Sequence, residues 1–200
     1  PKEQEVKRYF ASQAQELGLQ FVGDSLDQLL LKSGYDFGEL QKNLALLQAY
    51  KEDGQITLQD IKEVVPKSLQ DNIFDMTQLL LRGQIQSVRE LVHDLRLQGE
   101  DEIKLIAVML GQFRTYLQVK LLSAQGKSEQ QIVSSLSDYL SRKVNPFQVR
   151  YAIRDSRHLS VAFLKTTIKT LVETDYQIKT GTLDKDYLFD LALLKIVSNR

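Results

Sequence analysis

Residues 112–157 read QFRTYLQVKLLSAQGKSEQQIVSSLSDYLSRKVNPFQVRYAIRDSR. The first part continues a helix that starts near Ile103. Phe113, Leu117 and Leu121 fall on one face of it, in register with Ile103, Ile106 and Leu110. Tyr116 and Val119, with Leu105 and Met109, fall on another. A helix that is apolar on two faces is wrapped by neighbours. After a Gly126-Lys127-Ser128 turn the spacing predicts a short helix to about Leu140. Pro146 then opens a further helix to about Arg157, which carries a basic stripe.

Outward from this stretch the three-and-four spacing of apolar residues persists. Glycine and proline number only 10 and 3, and alternating β-branched runs are nearly absent. The pattern predicts an all-α protein. Upstream, a first helix spans Lys2 to Leu17, with Val6, Phe10, Ala14 and Leu17 inward and Gly18 as its stop. A second is capped by Asp24 or Ser25, turns Leu26, Leu29 and Leu30 inward and ends at Gly34. A third is capped by Asp36, with Glu39 three residues on as in a capping box, and buries Leu40, Leu44, Leu47 and Tyr50. Asp53-Gly54 breaks the chain. Thr57 then caps a short helix with Leu58, Ile61, Val64 and Val65, closed by Pro66.

Beyond Lys67-Ser68 the helices lengthen. One carries Ile73, Phe74, Thr77, Leu80 and Leu81 up to Gly83. The next carries Ile85, Val88, Leu91, Val92 and Leu95 up to Gly99. Glu100, Asp101 and Glu102 place negative charge at the start of the long helix, where its dipole favours it. Ser160 opens a helix to Gly181 with Val161, Leu164, Ile168, Leu171 and Val172. Asp184 caps the last, with Tyr187, Leu188, Leu191, Leu194 and Val197 as its apolar stripe. Residues 1–66 hold 7 Lys+Arg against 11 Asp+Glu, and residues 67–200 hold 19 against 15. That asymmetry supports a boundary at Pro66, giving a small helical domain over 1–66 and a larger one over 67–200.

Composition excludes several kinds of chemistry. Formal net charge is zero, so no global field demands a polyanionic partner. There are no cysteines, hence no disulfide and no thiolate metal site, and a reducing compartment fits. The two histidines, His93 and His158, fall on different predicted helices, which argues against a histidine metal centre or a triad. No apolar run approaches the ~20 residues needed to span a bilayer. The polar start Pro1-Lys2-Glu3-Gln4-Glu5 has no signal-peptide pattern. With no initiator Met, it reads as a fragment or processed form with something missing upstream.

Four features invite a catalytic or binding role. Gly126-Lys127-Ser128 is the tail of a phosphate-binding loop. That loop needs a glycine where Leu121 stands, and a strand before it rather than a helix. Gly126 as a helix stop and Ser128 as a cap with Gln131 three on account for every residue. Asp53-Gly54-Gln55-Ile56 resembles the centre of a calcium loop. In that register Ala49 and Lys51 occupy ligand positions and Asp60 the last, too few oxygens for a hard cation. Asp71 and Asp75 lie one turn apart, as magnesium carboxylates can, but Asp71 also suits a helix N-cap and no second acidic pair accompanies them. Arg150, Arg154 and Arg157 share one helical face, with Arg142 and Lys143 just upstream. Such a stripe suits a solvated face, an acidic protein partner or nucleic-acid phosphates. No tight turn precedes a set of base-reading side chains, so sequence-specific DNA reading is not expected. No catalytic, cofactor or metal site is expected.

A resemblance takes the reading further. Asn72-Ile73-Phe74-Asp75-Met76-Thr77 opens the second part, and Gln112-Phe113-Arg114 and Gln118-Val119-Lys120-Leu121-Leu122 lie in the long helix. Gly126-Lys127-Ser128 follows, then Asn145-Pro146-Phe147-Gln148-Val149 leading into Arg157. Asp175 and Lys179-Thr180-Gly181 precede a leucine-rich last helix. In order and spacing these residues resemble the C-terminal part of the bacterial DNA polymerase III delta-subunit family, the clamp-loader subunits that open the sliding clamp.

The resemblance implies an AAA+ lid-type bundle over 1–66 and a collar domain over 67–200. It implies a role in DNA replication, in the bacterial cytoplasm. The collar would assemble with gamma/tau-type and delta-prime-type loader subunits. The sliding clamp would be met only through an N-terminal domain that has no counterpart here. DNA contact would be weak or indirect, and there is no membrane partner. Delta-type subunits do not hydrolyse ATP, so no enzymatic activity and no cofactor is implied. The holoenzyme they serve is a DNA-directed DNA polymerase. Tyr116, Val119, Arg150, Arg154 and Arg157 are the expected contact residues. The alternative is an all-helical nucleic-acid-binding regulator acting through the arginine stripe.

Overall fold

Eleven helices and one pair of very short strands form the described part of the chain. The computed structural model describes residues 3–33, 36–141, 144, 146–181 and 183–200. Two compact units are distinguished, Pro1–Asp71 and Asn72–Arg200.

The first unit holds α1 (Glu3–Glu16), β1 (Gln20–Phe21), α2 (Ser25–Lys32), α3 (Phe37–Tyr50), β2 (Gln55–Ile56) and α4 (Leu58–Val64). Helix starts follow the capping residues. The Asp36 carboxylate accepts from the Glu39 amide at 2.9 Å. Thr57 and Asp60 close a reciprocal capping box, with the Thr57 amide donating to Asp60 at 2.8 Å. Phe10, Leu29, Leu40, Leu47 and Ile56 form the centre of the core, all fully buried. Two expected core residues face out: Leu17 is 36% exposed and Tyr50 50%. The chain turns at Gly18, φ 74°, and buries Leu19 in place of Leu17. The helix stop expected at Gly34 lies outside the described residues, and α2 closes at Lys32.

The strand pair was not expected. Two residues are too few to show alternation. Gln20 and Phe21 run parallel to Gln55 and Ile56, and the Gln20 amide donates to the Gly54 carbonyl at 2.8 Å. The Ser25 hydroxyl, itself buried, donates to the Ile56 carbonyl at 2.9 Å. A Cβ on Gly54 would stand 2.3 Å from the Gly18 carbonyl oxygen. Together with its φ of 69°, this leaves room only for glycine.

α5 (Leu69–Leu81) follows. Its cap is Ser68, not Asp71. The Asp71 amide donates to the Ser68 hydroxyl at 3.1 Å, and the Asp71 carboxylate accepts from that hydroxyl at 2.8 Å. Asp71 is thus the third helical residue of a capping box.

The second unit adds α6 (Ile85–Leu97), α7 (Glu102–Ala124), α8 (Glu129–Leu140), α9 (Pro146–Ser156), α10 (Val161–Lys179) and α11 (Lys185–Ser198). α7 is its axis and packs against α8, α9, α10 and α11. Both apolar faces expected of it are buried: Ile106, Leu110 and Phe113 on one, Leu105, Met109 and Val119 on the other. Only the ends, Ile103 and Leu121, are exposed. Ser128 and Gln131 form the predicted capping box, and Gly126 has φ 76°, so the Gly-Lys-Ser turn is a helix stop followed by a cap.

Candidate functional site

The residues expected to make contacts separate into two groups. Tyr116 and Val119 are 2% and 0% exposed, so neither offers a contact surface. The reason is that α7 is enclosed by its neighbours, and both residues face them. The Tyr116 hydroxyl accepts from Gln112 at 2.8 Å, and Gln112 in turn accepts from Thr77 of α5 at 2.9 Å. Burial pushes the Tyr116 phenol up to about 12, so it stays neutral. Gln78 donates to Asp155 of α9 at 3.1 Å, continuing a polar seam through α5, α7 and α9.

The arginines are exposed but engaged. Arg150 meets Glu129 of α8 at 3.0 Å. Arg154 pairs with its neighbour Asp155 at 2.7 Å and lies over the Tyr151 ring, 5.1 Å from its centroid. α9 ends at Ser156, so Arg157 stands beyond the helix rather than on its face. Its carbonyl accepts from Lys120 of α7. The structure therefore does not present three arginines in line, and the stripe is a poor phosphate track. Arg142 and Lys143 lie outside the described residues.

Apolar side chains stand exposed on α10 and α11, as single ones do on α6 and α8, where Leu97 is 74% and Tyr139 75% exposed. α11 has two apolar faces, and the stripe expected to be its core is largely the outer one. Leu188, Phe189, Ala192, Leu193 and Ile196 are buried, while Tyr187 is 57% and Leu194 51% exposed. Tyr187, Leu191 and Leu194 fall at helical spacing on the outward side, with Leu191 half-buried. Val172 and Tyr176 of α10 are likewise exposed, as is Leu183 between the helices. Exposed apolar side chains on two helices that pack together are candidates for an interaction face. Sequence reasoning missed this because both faces of α11 are apolar, so periodicity alone cannot choose the inner one.

Beside this surface lies a charge cluster that holds the start of α11. Arg96 of α6 donates through Nε to Glu102 at 2.8 Å and through Nη2 to Asp190 at 3.0 Å. Its Nε also lies 3.8 Å from the Asp186 carboxylate. Lys185 meets Glu102 at 3.1 Å and Asp101 at 2.5 Å. The Glu102 side chain is 2% exposed. Burial works to raise its carboxyl, but hydrogen bonds led by Arg96 hold it below the usual range. The Asp186 carboxyl, half exposed, is pushed up by partial desolvation and by the neighbouring Glu102.

Comparison with known proteins gives a consistent result. The family model for the DNA polymerase III delta subunit, C-terminal domain, matches residues 70–196. The chain is 35% identical over 161 residues to DNA polymerase III subunit delta of Bacillus subtilis (strain 168), across 80% of this chain and 44% of that protein. It is similar to the solved structure of the Bacillus subtilis DNA clamp loader delta protein, with a TM-score of 0.75 and 29% identity. That match covers 98% of this chain and 56% of the other. The chain spans about half the length of the relatives it matches.

Proposed function

The chain belongs to the DNA polymerase III delta-subunit family, and from that premise we propose that it is the assembly portion of a clamp loader acting in DNA replication. In this reading residues 1–66 are the AAA+ lid-type bundle and residues 67–200 the collar. The collar buries apolar surface against gamma/tau-type and delta-prime-type loader subunits in the cytoplasm. Its contribution is mechanical and not enzymatic: it holds the loader together while other parts engage and open the sliding clamp.

The observation that carries this reading is that Val172 and Tyr176 of α10 and Tyr187 and Leu194 of α11 stand exposed on a domain whose core is already closed. Burying such side chains against a partner would contribute on the order of 1.5–3 kcal/mol each before the costs of association. The arginine stripe is the weaker candidate, since Arg150 and Arg154 already have carboxylate partners.

The test is gel filtration with the cognate loader subunits in the absence of ATP. The chain is expected to co-elute with them. Leu194→Asp is expected to abolish co-elution while leaving the thermal melt unchanged, because Leu194 contributes little to the core. Retained co-elution in that variant would refute the assignment of the face.

A further inference from the structure

Four helix ends of the second unit meet around a recess of about 530 Å³. Leu81 from the end of α5, Asp155 from the end of α9, Phe163 from the start of α10 and Arg200 beyond α11 line it, with His158 from the turn between α9 and α10. The floor is apolar: Leu81 and Leu159 are half-buried and Phe163 is 8% exposed. Among the described lining residues Asp155 is the one carboxylate. Both of its oxygens are taken, one by Arg154 at 2.7 Å and the other by Gln78 at 3.1 Å. The surroundings are cationic. Arg200 lies by the end of α5, its Nη1 3.6 Å from where a Cβ on Gly83 would stand. Arg82, Arg157 and Lys165 are each next in sequence to a lining residue, Leu81, His158 and Thr166, and all three are exposed. Among the described residues no carboxylate is paired with Arg82, Arg157, Lys165 or Arg200. In a chain of zero formal net charge that gathering of cations makes a local positive field, which a recess focuses.

We propose that this recess binds an acidic peptide segment of a protein partner, an apolar side chain of the peptide resting on Leu81, Leu159 and Phe163 and its carboxylates pairing with Arg157 and Arg200. The site stands apart from the reading of Tyr187 and Leu194 as an assembly surface and does not rest on it. Its volume lies within the ~300–1,000 Å³ usual for sites that enclose a small ligand, enough for a few side chains. The Phe163 amide at the start of α10 is already taken by the Ser160 hydroxyl at 2.9 Å, so recognition falls to side chains. Two features favour a peptide over nucleic acid. Single strands are held on aromatic rings that stack with bases, and among the described lining residues Phe163 is the one aromatic ring and is nearly closed off. The cations also gather about an apolar floor, which seats an aliphatic side chain and has nothing to offer a phosphate backbone.

Fluorescence anisotropy of the full chain with a fluorescein-labelled peptide of repeated Asp-Asp-Leu tests the site, against a repeat of Lys-Lys-Leu and a labelled oligo-dT strand. The acidic peptide is expected to bind, more weakly as salt rises, and the basic one to stay free. Arg157→Glu combined with Arg200→Glu is expected to weaken binding roughly tenfold with an unchanged thermal melt, since both side chains are exposed. Ala162→Trp adds bulk to the recess from an exposed position on α10 and is expected to weaken binding without any change of charge. Lys104→Ala removes a cation at the start of α7, outside the recess, and is expected to leave binding as it was. Failure of the acidic peptide to bind overturns the proposal, as does undiminished binding in the charge-reversed variant or in Ala162→Trp. Tighter binding of the dT strand than of the acidic peptide overturns it in favour of a nucleic-acid site.

Discussion

The two units close the end of a short helix in the same way, with a lysine from a neighbouring helix. In the first, Lys32 of α2 donates to the carbonyls of Ile61 and Val65 at the end of α4. In the second, Lys120 of α7 donates to the carbonyls of Ser156 and Arg157 at the end of α9. The surroundings differ. Lys32 sits on an eight-residue helix, in a unit whose helices run from 7 to 14 residues. Side-chain bonds to backbone stitch that unit together: Ser25 to Ile56, Lys32 to α4, Gln48 to Leu17. Lys120 sits on a 23-residue helix enclosed by its neighbours. Helices as short as α2 and α4 leave a large share of their carbonyls without intrahelical partners. The end of α4 thus depends on polar closure, where α9 is also held by packing on α7.

Substitutions can break this contrast, starting where packing dominates. Phe113→Ala removes a fully buried ring from α7 and is expected to destabilise the second unit by about 3–5 kcal/mol, read from a chemical or thermal melt. Gly54→Ala tests the stitched unit at its tightest point. The left-handed backbone and the 2.3 Å approach to the Gly18 carbonyl predict a loss of roughly 2–4 kcal/mol, seen as early proteolysis of the first unit. Lys32→Met leaves two carbonyls of α4 without their donor and is expected to cost about 1.5–3 kcal/mol. Lys120→Met should cost less, because packing also holds α9. Equal costs would dissolve the contrast.

Smaller effects sharpen it. Thr57→Ala and Ser128→Ala each remove a capping box, one per unit, at about 1 kcal/mol; urea midpoints distinguish them. Thr167→Val should go the other way. The Thr167 hydroxyl is buried on α10 without a hydrogen-bond partner. An isosteric methyl is expected to raise stability by about 0.5–1 kcal/mol, read as a higher melting midpoint.

Much of this was legible in the residues themselves. Asp36, Thr57, Ser128, Ser160 and Asp184 each begin the helix their position announced, because a side-chain oxygen two or three residues before a free amide has one geometry available to it. Three features were not legible. The parallel pairing of Gln20–Phe21 with Gln55–Ile56 depends on Gly18 and Gly54 meeting across 36 residues, which no local pattern encodes. Tyr116 and Val119 were expected as contacts because periodicity reports that α7 is apolar on two sides and wrapped, not whether its own domain or a partner does the wrapping. Arg150 looked available because Glu129, its partner, lies 21 residues away. The same ambiguity assigned the outer stripe of α11 to the core.

The enclosure of α7 has a consequence for measurement. From Met109 to Val119 the helix has neighbours on both of its apolar faces, and its interior amides can meet solvent only when those neighbours leave together. Their deuterium uptake is therefore a clock for the opening of the whole second unit. The start of α11 is tied by the charge cluster of Arg96 and Lys185, so its amides are expected to exchange sooner. The logarithm of the ratio of those two exchange rates measures the free energy that separates lifting of α11 from loss of the domain beneath it.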